Sequence, residues 1–179
     1  MNPMPFLHRR AVLVLLACGG MAAVIERAHA QVSGPPQSPP RVLPAYSVFD
    51  KDDAAVPLDD PRFGGVTLVL VDGSLPGASS TLLALGAKSG LRPERLAVVV
   101  MGSPEMLHAL QSANPRIGGA TWYRAPLPDL IARLRAPGVP LLLGIDAQRR
   151  VVWQRAGASL APERIHQEVL SWQRRQAGH

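Results

Sequence analysis

From residue 46 onward the chain alternates two hydrophobic rhythms. Residues 46–49 read as a short strand, and DKDDAAVPLDD as a turn with a small extended piece at 56–58. Residues 66–71 and 96–101 are continuous β-branched and leucine runs, the pattern of strands covered on both faces. A helix fits residues 78–89, with Leu82 and Leu85 inward and Gly90 as its stop. Ser103 predicts the cap of a second helix, with Pro104 in its first turn and Met106, Leu107 and Leu110 facing inward. Residues 120–124 form another strand. Leu127, Leu130, Ile131 and Leu134 then recur at helical spacing. Gly138 turns the chain into a strand at 139–143. A tight turn at 146–149 closes a hairpin with 151–153. The last helix, 162–174, buries Ile165, Val169 and Trp172. The order β, β, α, β, α, β, α, β, β, α predicts an α/β fold, a mixed sheet with helices on both faces and an antiparallel closing edge.

The start of the chain has another character. Arg9 and Arg10 precede the apolar stretch AVLVLLACGGMAAVI, and Ala28-His29-Ala30 offers small residues for a signal peptidase. Residues 1–30 therefore read as a cleaved signal peptide, with Gln31 as the first mature residue. Two alternatives stay open: lipidation at Cys18, within Leu15-Leu16-Ala17-Cys18, or an uncleaved anchor through residues 11–25. Fifteen apolar residues are short for a membrane span. The Arg9-Arg10 pair also allows twin-arginine export. Residues 31–45 contain five prolines and little to bury, a stiff spacer of roughly 40 Å if extended. A compact domain over 46–175 and a tail over 176–179 complete the division.

Charge and sulfur narrow the chemistry. The formal charge is +6, and losing Arg9, Arg10, Arg27 and Glu26 with the leader leaves +4. The arginines are scattered, with pairs at Arg149-Arg150 and Arg174-Arg175, so a solvated basic surface is expected and nucleic-acid binding is not. Cys18 is the only cysteine. Beyond residue 30 the chain holds no thiol and can form no disulfide. His108, His166 and His179 lack metal-ligand spacing, so neither a metal nor a cofactor is expected. Ser74, His108 and Asp72 are triad residue types, but G-S-L-P-G is not a G-x-S-x-G elbow. Trp122 and Trp153 fall on strands, where core or sheet-face packing is the expected role.

Two stretches carry a resemblance. VTLVLVDGSLPG runs from a buried strand into a turn and helix. Gly138-Val139-Pro140-Leu141-Leu142-Leu143-Gly144-Ile145-Asp146, followed by Arg149-Arg150-Val151-Val152 and Gly157, gives a Val-Pro strand, polar turn, strand and glycine. Together they resemble the thioredoxin-like superfamily, and most nearly its exported thiol–disulfide branch serving cytochrome maturation. The resemblance implies a cis Pro140 beside the active-site turn. It also places Ser74 and Gly77 where that family has its two cysteines. Disulfide exchange needs a thiolate, and a serine hydroxyl neither ionises appreciably nor forms a disulfide.

The expectation is thus an exported, redox-inactive domain binding an envelope protein or an extended peptide segment through Gly73, Ser74, Leu75, Pro76, Gly77, Val139 and Pro140. Cysteine-free relatives in conjugative-transfer and secretion systems make an assembly factor one version of it. Two alternatives remain: a glutathione-transferase-like enzyme using Ser74, and a structural domain tied to the membrane. Pro140 itself reads either as inherited architecture or as a retained peptide groove. Ser74 reads most simply as a cap or turn residue.

Overall fold

The computed structural model describes residues 41–126, 129–156 and 161–178. The predicted signal peptide with Cys18, most of the proline-rich spacer, Leu127, Gly157 and His179 lie outside the described residues. One eight-stranded sheet organises the rest, in the order β1-β8-β7-β4-β5-β6-β2-β3. The strands are β1 (Arg41–Val42), β2 (Ser47–Phe49), β3 (Ala55–Pro57), β4 (Thr67–Asp72), β5 (Leu96–Met101), β6 (Thr121–Ala125), β7 (Leu141–Ile145) and β8 (Arg150–Ala156). Strands β4, β5 and β6 run parallel; β7 is antiparallel to β4, and β8 to β7.

The central strands alternate in register between two cores, as the pleat requires. Leu68 and Leu70 of β4, Val99 of β5, Tyr123 of β6 and Leu141 and Leu143 of β7 face one side. Val69, Val71, Val98, Val100, Trp122 and Leu142 face the other. Both faces are covered, which is why these strands read as unbroken apolar runs rather than alternating ones.

Four α-helices supply the cover: α1 (Pro76–Gly86), α2 (Pro104–Ala113), α3 (Asp129–Arg133) and α4 (Pro162–Ala177). Leu82 and Leu85 of α1, Leu107 and Leu110 of α2, and Ile165, Val169 and Trp172 of α4 fill the second core. Leu130 and Leu134, in and after α3, fill the first, with Val48, Val56 and Phe63 from the β2–β3 side. The mixed sheet with helices on both faces is as the hydrophobic pattern predicts.

Four local readings are corrected. The spacer was drawn to residue 45, yet Arg41 and Val42 pair with Val151 and Arg150, and Leu43 is 4% exposed. Two paired residues among prolines leave no periodicity to read. Helix α1 begins at Pro76 and ends at Gly86, not at Ser89. Pro76 takes the first-turn position that Pro104 takes in α2, where a missing N–H costs nothing. Met106, read as inward, is 38% exposed. Arg149 and Arg150 are engaged rather than simply solvated. Arg149 donates to the Asp59 carbonyl, and Arg150 Nε donates to Asp146 Oδ2 at 2.8 Å, so both hold the β7–β8 turn.

Candidate functional site

The turn between β4 and α1 is built by short local bonds. Gly73 N–H donates to the Met101 carbonyl at 2.9 Å, tying the end of β4 to β5. Asp72 Oδ1 accepts from both the Ser74 N–H (2.9 Å) and the Ser74 hydroxyl (2.6 Å). A carboxylate accepting from the backbone two residues on is the geometry of an Asx turn. Leu75 N–H returns to the Asp72 carbonyl at 3.1 Å, and Ala78 N–H to the Leu75 carbonyl at 3.0 Å. Ser74 is therefore a turn residue and not the helix cap. The N-cap position is Leu75, which makes no side-chain cap bond.

Across from the turn, the peptide between Val139 and Pro140 is cis, as the resemblance implies. Gly77, in the first turn of α1, lies against the Pro140 ring. A Cβ built at Gly77 would stand 3.4 Å from both Pro140 Cγ and Cδ. The two sequence stretches, 63 positions apart at their contact, thus meet in space. Pro140 is buried and Val139 partly so, while Ser74, Leu75 and Pro76 are exposed.

Met106 adds to this surface, where helical spacing alone places it inward. Its side chain crosses from the first turn of α2 onto the glycines of the turn: a Cβ at Gly73 would meet Met106 Cβ at 3.1 Å, and one at Gly102 would meet Met106 Sδ at 2.8 Å. Gly102 has φ of 146°, a region that favours glycine. Glycines at 73 and 102 let the methionine lie flat on the backbone instead of entering the core. With Leu75 at 47% exposure, two large apolar side chains flank Ser74.

The charges here are mainly negative. Asp72 sits in the turn, and the Glu105 carboxyl is held below the usual carboxylate range by the Ser103 hydroxyl and by backbone hydrogen bonding. Ser103 Oγ also caps α2, accepting from Met106 N at 3.4 Å. His108 is exposed, whereas His166 is buried, with Nδ1 3.1 Å from the Leu85 carbonyl. The Ser74 hydroxyl proton points at Asp72. No triad geometry connects it to His108. Among the described residues no group of three or more His, Cys, Asp or Glu is placed to hold a metal. Trp122 and Trp153 are core residues at 5% and 7% exposure, and Trp153 stacks on Trp172 with centroids 6.4 Å apart.

No protein-family model and no curated protein matches the sequence. Solved structures do match. A thiol:disulfide interchange protein from Bacteroides sp. superposes with a TM-score of 0.59 at 13% identity, over 80% of this chain and 95% of that one. The fold is thioredoxin-like. A thio-disulfide isomerase from Thermus thermophilus gives 0.54 at 18% identity, covering 75% and 96% of the two chains. The peroxidoxin BcpB of Mycobacterium tuberculosis gives 0.55 at 12%, covering 78% and 97%. Identities this low establish the thioredoxin-like architecture alone. Within it, the turn of Ser74 and Gly77 opposes Pro140, and this chain's single cysteine, Cys18, lies far upstream.

Proposed function

We propose that this chain is an exported, redox-inactive thioredoxin-like protein that binds another protein of the cell envelope, as an assembly factor of a transfer or secretion apparatus. One observation carries the reading: the thioredoxin-like fold keeps Gly77 against Pro140 but sets two exposed apolar side chains at the turn, Leu75 within it and Met106 against Gly73. No sulfur nucleophile follows Cys18, so the face is left with shape and backbone rather than thiol chemistry. An extended segment of the partner pairs with main chain beside Pro140 and lays apolar side chains on Leu75 and Met106. Affinity then comes from strand-like bonding and specificity from the side chains.

The transferase alternative is disfavoured by the same turn. A serine that steadies a bound thiolate must donate its hydroxyl proton to sulfur. Here the hydroxyl donates to Asp72 Oδ1, with Oγ 2.6 Å from it, and the carboxylate charge would also repel the thiolate. Export is supported by the leader pattern of residues 1–30. Among the described residues, no helix is long and apolar enough to cross a membrane.

Expression of the full chain in a Gram-negative host, with a photoreactive residue at Leu75, tests both parts. Periplasmic protein beginning at Gln31 is expected, together with a defined envelope crosslink abolished by Gly77→Leu, whose side chain would overrun the Pro140 ring. A cytoplasmic product refutes export. A crosslink indifferent to Gly77→Leu refutes the binding face.

A further inference from the structure

A second surface lies at the other end of α1. Eleven residues at about 1.5 Å each put it roughly 16 Å from the turn. Leu83 and Ala87 on one side, and Ala113, Pro115, Arg116 and Ile117 on the other, line an open groove of about 170 Å³. A cavity of ~150 Å³ accepts a benzene-sized apolar group, so this groove admits one large apolar side chain. Its floor is Ile117, 1% exposed, and its rim is Leu83, 59% exposed. Gly86 and Asn114 also line the groove; the Asn114 amide nitrogen is engaged with the Leu110 carbonyl at 2.7 Å, and the exposed lining is mainly apolar.

The charge around the groove has one sign. Arg116 Nη1 lies 3.4 Å from the carbonyl oxygens of both Gly86 and Ala87, which seats the guanidinium at the negative end of α1. Gly86 permits this, since a Cβ there would meet Arg116 Cβ at 3.2 Å. Lys88 follows directly. Residues 73–93 and 106–128, which supply both walls and their flanks, contain no Asp or Glu. Among the described residues neither Arg116 nor Lys88 has a carboxylate partner.

We propose that this groove docks an acidic amphipathic segment of a partner protein, with one apolar side chain against Leu83 and Ile117 and a carboxylate on Arg116. Charge complementarity selects the partner: the walls attract carboxylates and repel a basic segment. The depth of a single side chain, with only Arg116 and Lys88 at the rim, suits a peptide anchor rather than a lipid surface, which rewards a cluster of basic residues. The site is independent of the Ser74 face, so either can fail alone.

The test uses the folded full chain and an acetylated probe peptide of about four helical turns, with Leu and Glu along one face. A control peptide carries Lys for Glu, and phosphatidylglycerol vesicles form a third arm. The acidic peptide is expected to bind and to shift the NMR resonances of Leu83, Ala87 and Ile117. Leu83→Asp should weaken it by about tenfold or more, and Arg116→Gln by several-fold. Gly77→Leu should leave it unchanged. Leu83 is exposed, so its variant keeps the fold, which circular dichroism verifies. The proposal is overturned by no shift with the acidic peptide, equal binding of the lysine control, affinity indifferent to Leu83→Asp, or vesicle binding that the same variants abolish.

Discussion

Asp72 and Ser74 illustrate how much a single side chain decides. The sequence supplies both residues, but only the turn aims the hydroxyl at the carboxylate and so removes it as a donor to a ligand. Met106 is the converse case. Helical spacing placed it inward with Leu107 and Leu110, yet the bare backbone at Gly73 and Gly102 gives it a seat on the surface. Half of that seat, Gly73, lies 33 positions upstream, beyond any local window, although Gly102 is only four positions away. The tyrosines carry a prediction at this scale. Burial is the main cause raising the phenol of Tyr123, which packs on Phe63 with centroids 5.1 Å apart. Burial and then the Asp129 carboxylate raise Tyr46. These are the only tyrosines in the chain. The native state therefore holds both phenolic protons more tightly than the unfolded chain. Their contribution to stability is complete below about pH 10 and is lost as pH rises through the native values. Tyrosinate absorbance should appear at higher pH in the folded protein than in urea; coincident curves would contradict the packing.

At the scale of elements, legibility follows burial. Strands β4 and β5 were readable because two covered faces demand continuous apolar runs, and α4 because Ile165, Val169 and Trp172 recur on one face. Strand β1 was not, since two residues carry no period. The meeting of β7 with α4 was also hidden. Gly144 looks like an interruption of the β7 run, but it faces the indole of Trp172. A Cβ at Gly144 would lie 2.7 Å from Trp172 Cε2 and 2.8 Å from Cδ2. That ring is stacked on Trp153, which pairs with Gly144 across β7 and β8, so it has little room to retreat. Gly144→Ala is therefore expected to destabilise by about 1–3 kcal/mol through overpacking. Urea unfolding would read this as a lower midpoint at unchanged slope. An unchanged midpoint would mean that α4 yields freely.

For the whole molecule, the issue is whether the architecture around Ser74 and Gly77 would support a dithiol placed there. The sequence order implied the fold, and the resemblance aligned Ser74 and Gly77 with a dithiol, but neither fixed their distance from residue 140. The structure puts residue 77 against the Pro140 ring and residue 74 on the exposed turn before α1. Positions three apart within a helix bring their Cβ atoms to about 5–6 Å; residue 74, one position before the N-cap, must close the remaining gap toward the ~3.8 Å that a disulfide prefers. The α1 N-terminus favours a thiolate there, and Asp72 opposes it. The double variant Ser74→Cys with Gly77→Cys should thus oxidise to an intramolecular disulfide. It should also reduce insulin slowly, while the unmodified chain, with its single cysteine, is expected to do neither. Adding Asp72→Asn to the pair should raise the rate by removing the carboxylate that disfavours the thiolate. Failure of the two cysteines to bridge in a folded protein would separate this turn from the thioredoxin-like active site. The binding face would then have to be argued from Leu75 and Met106 alone.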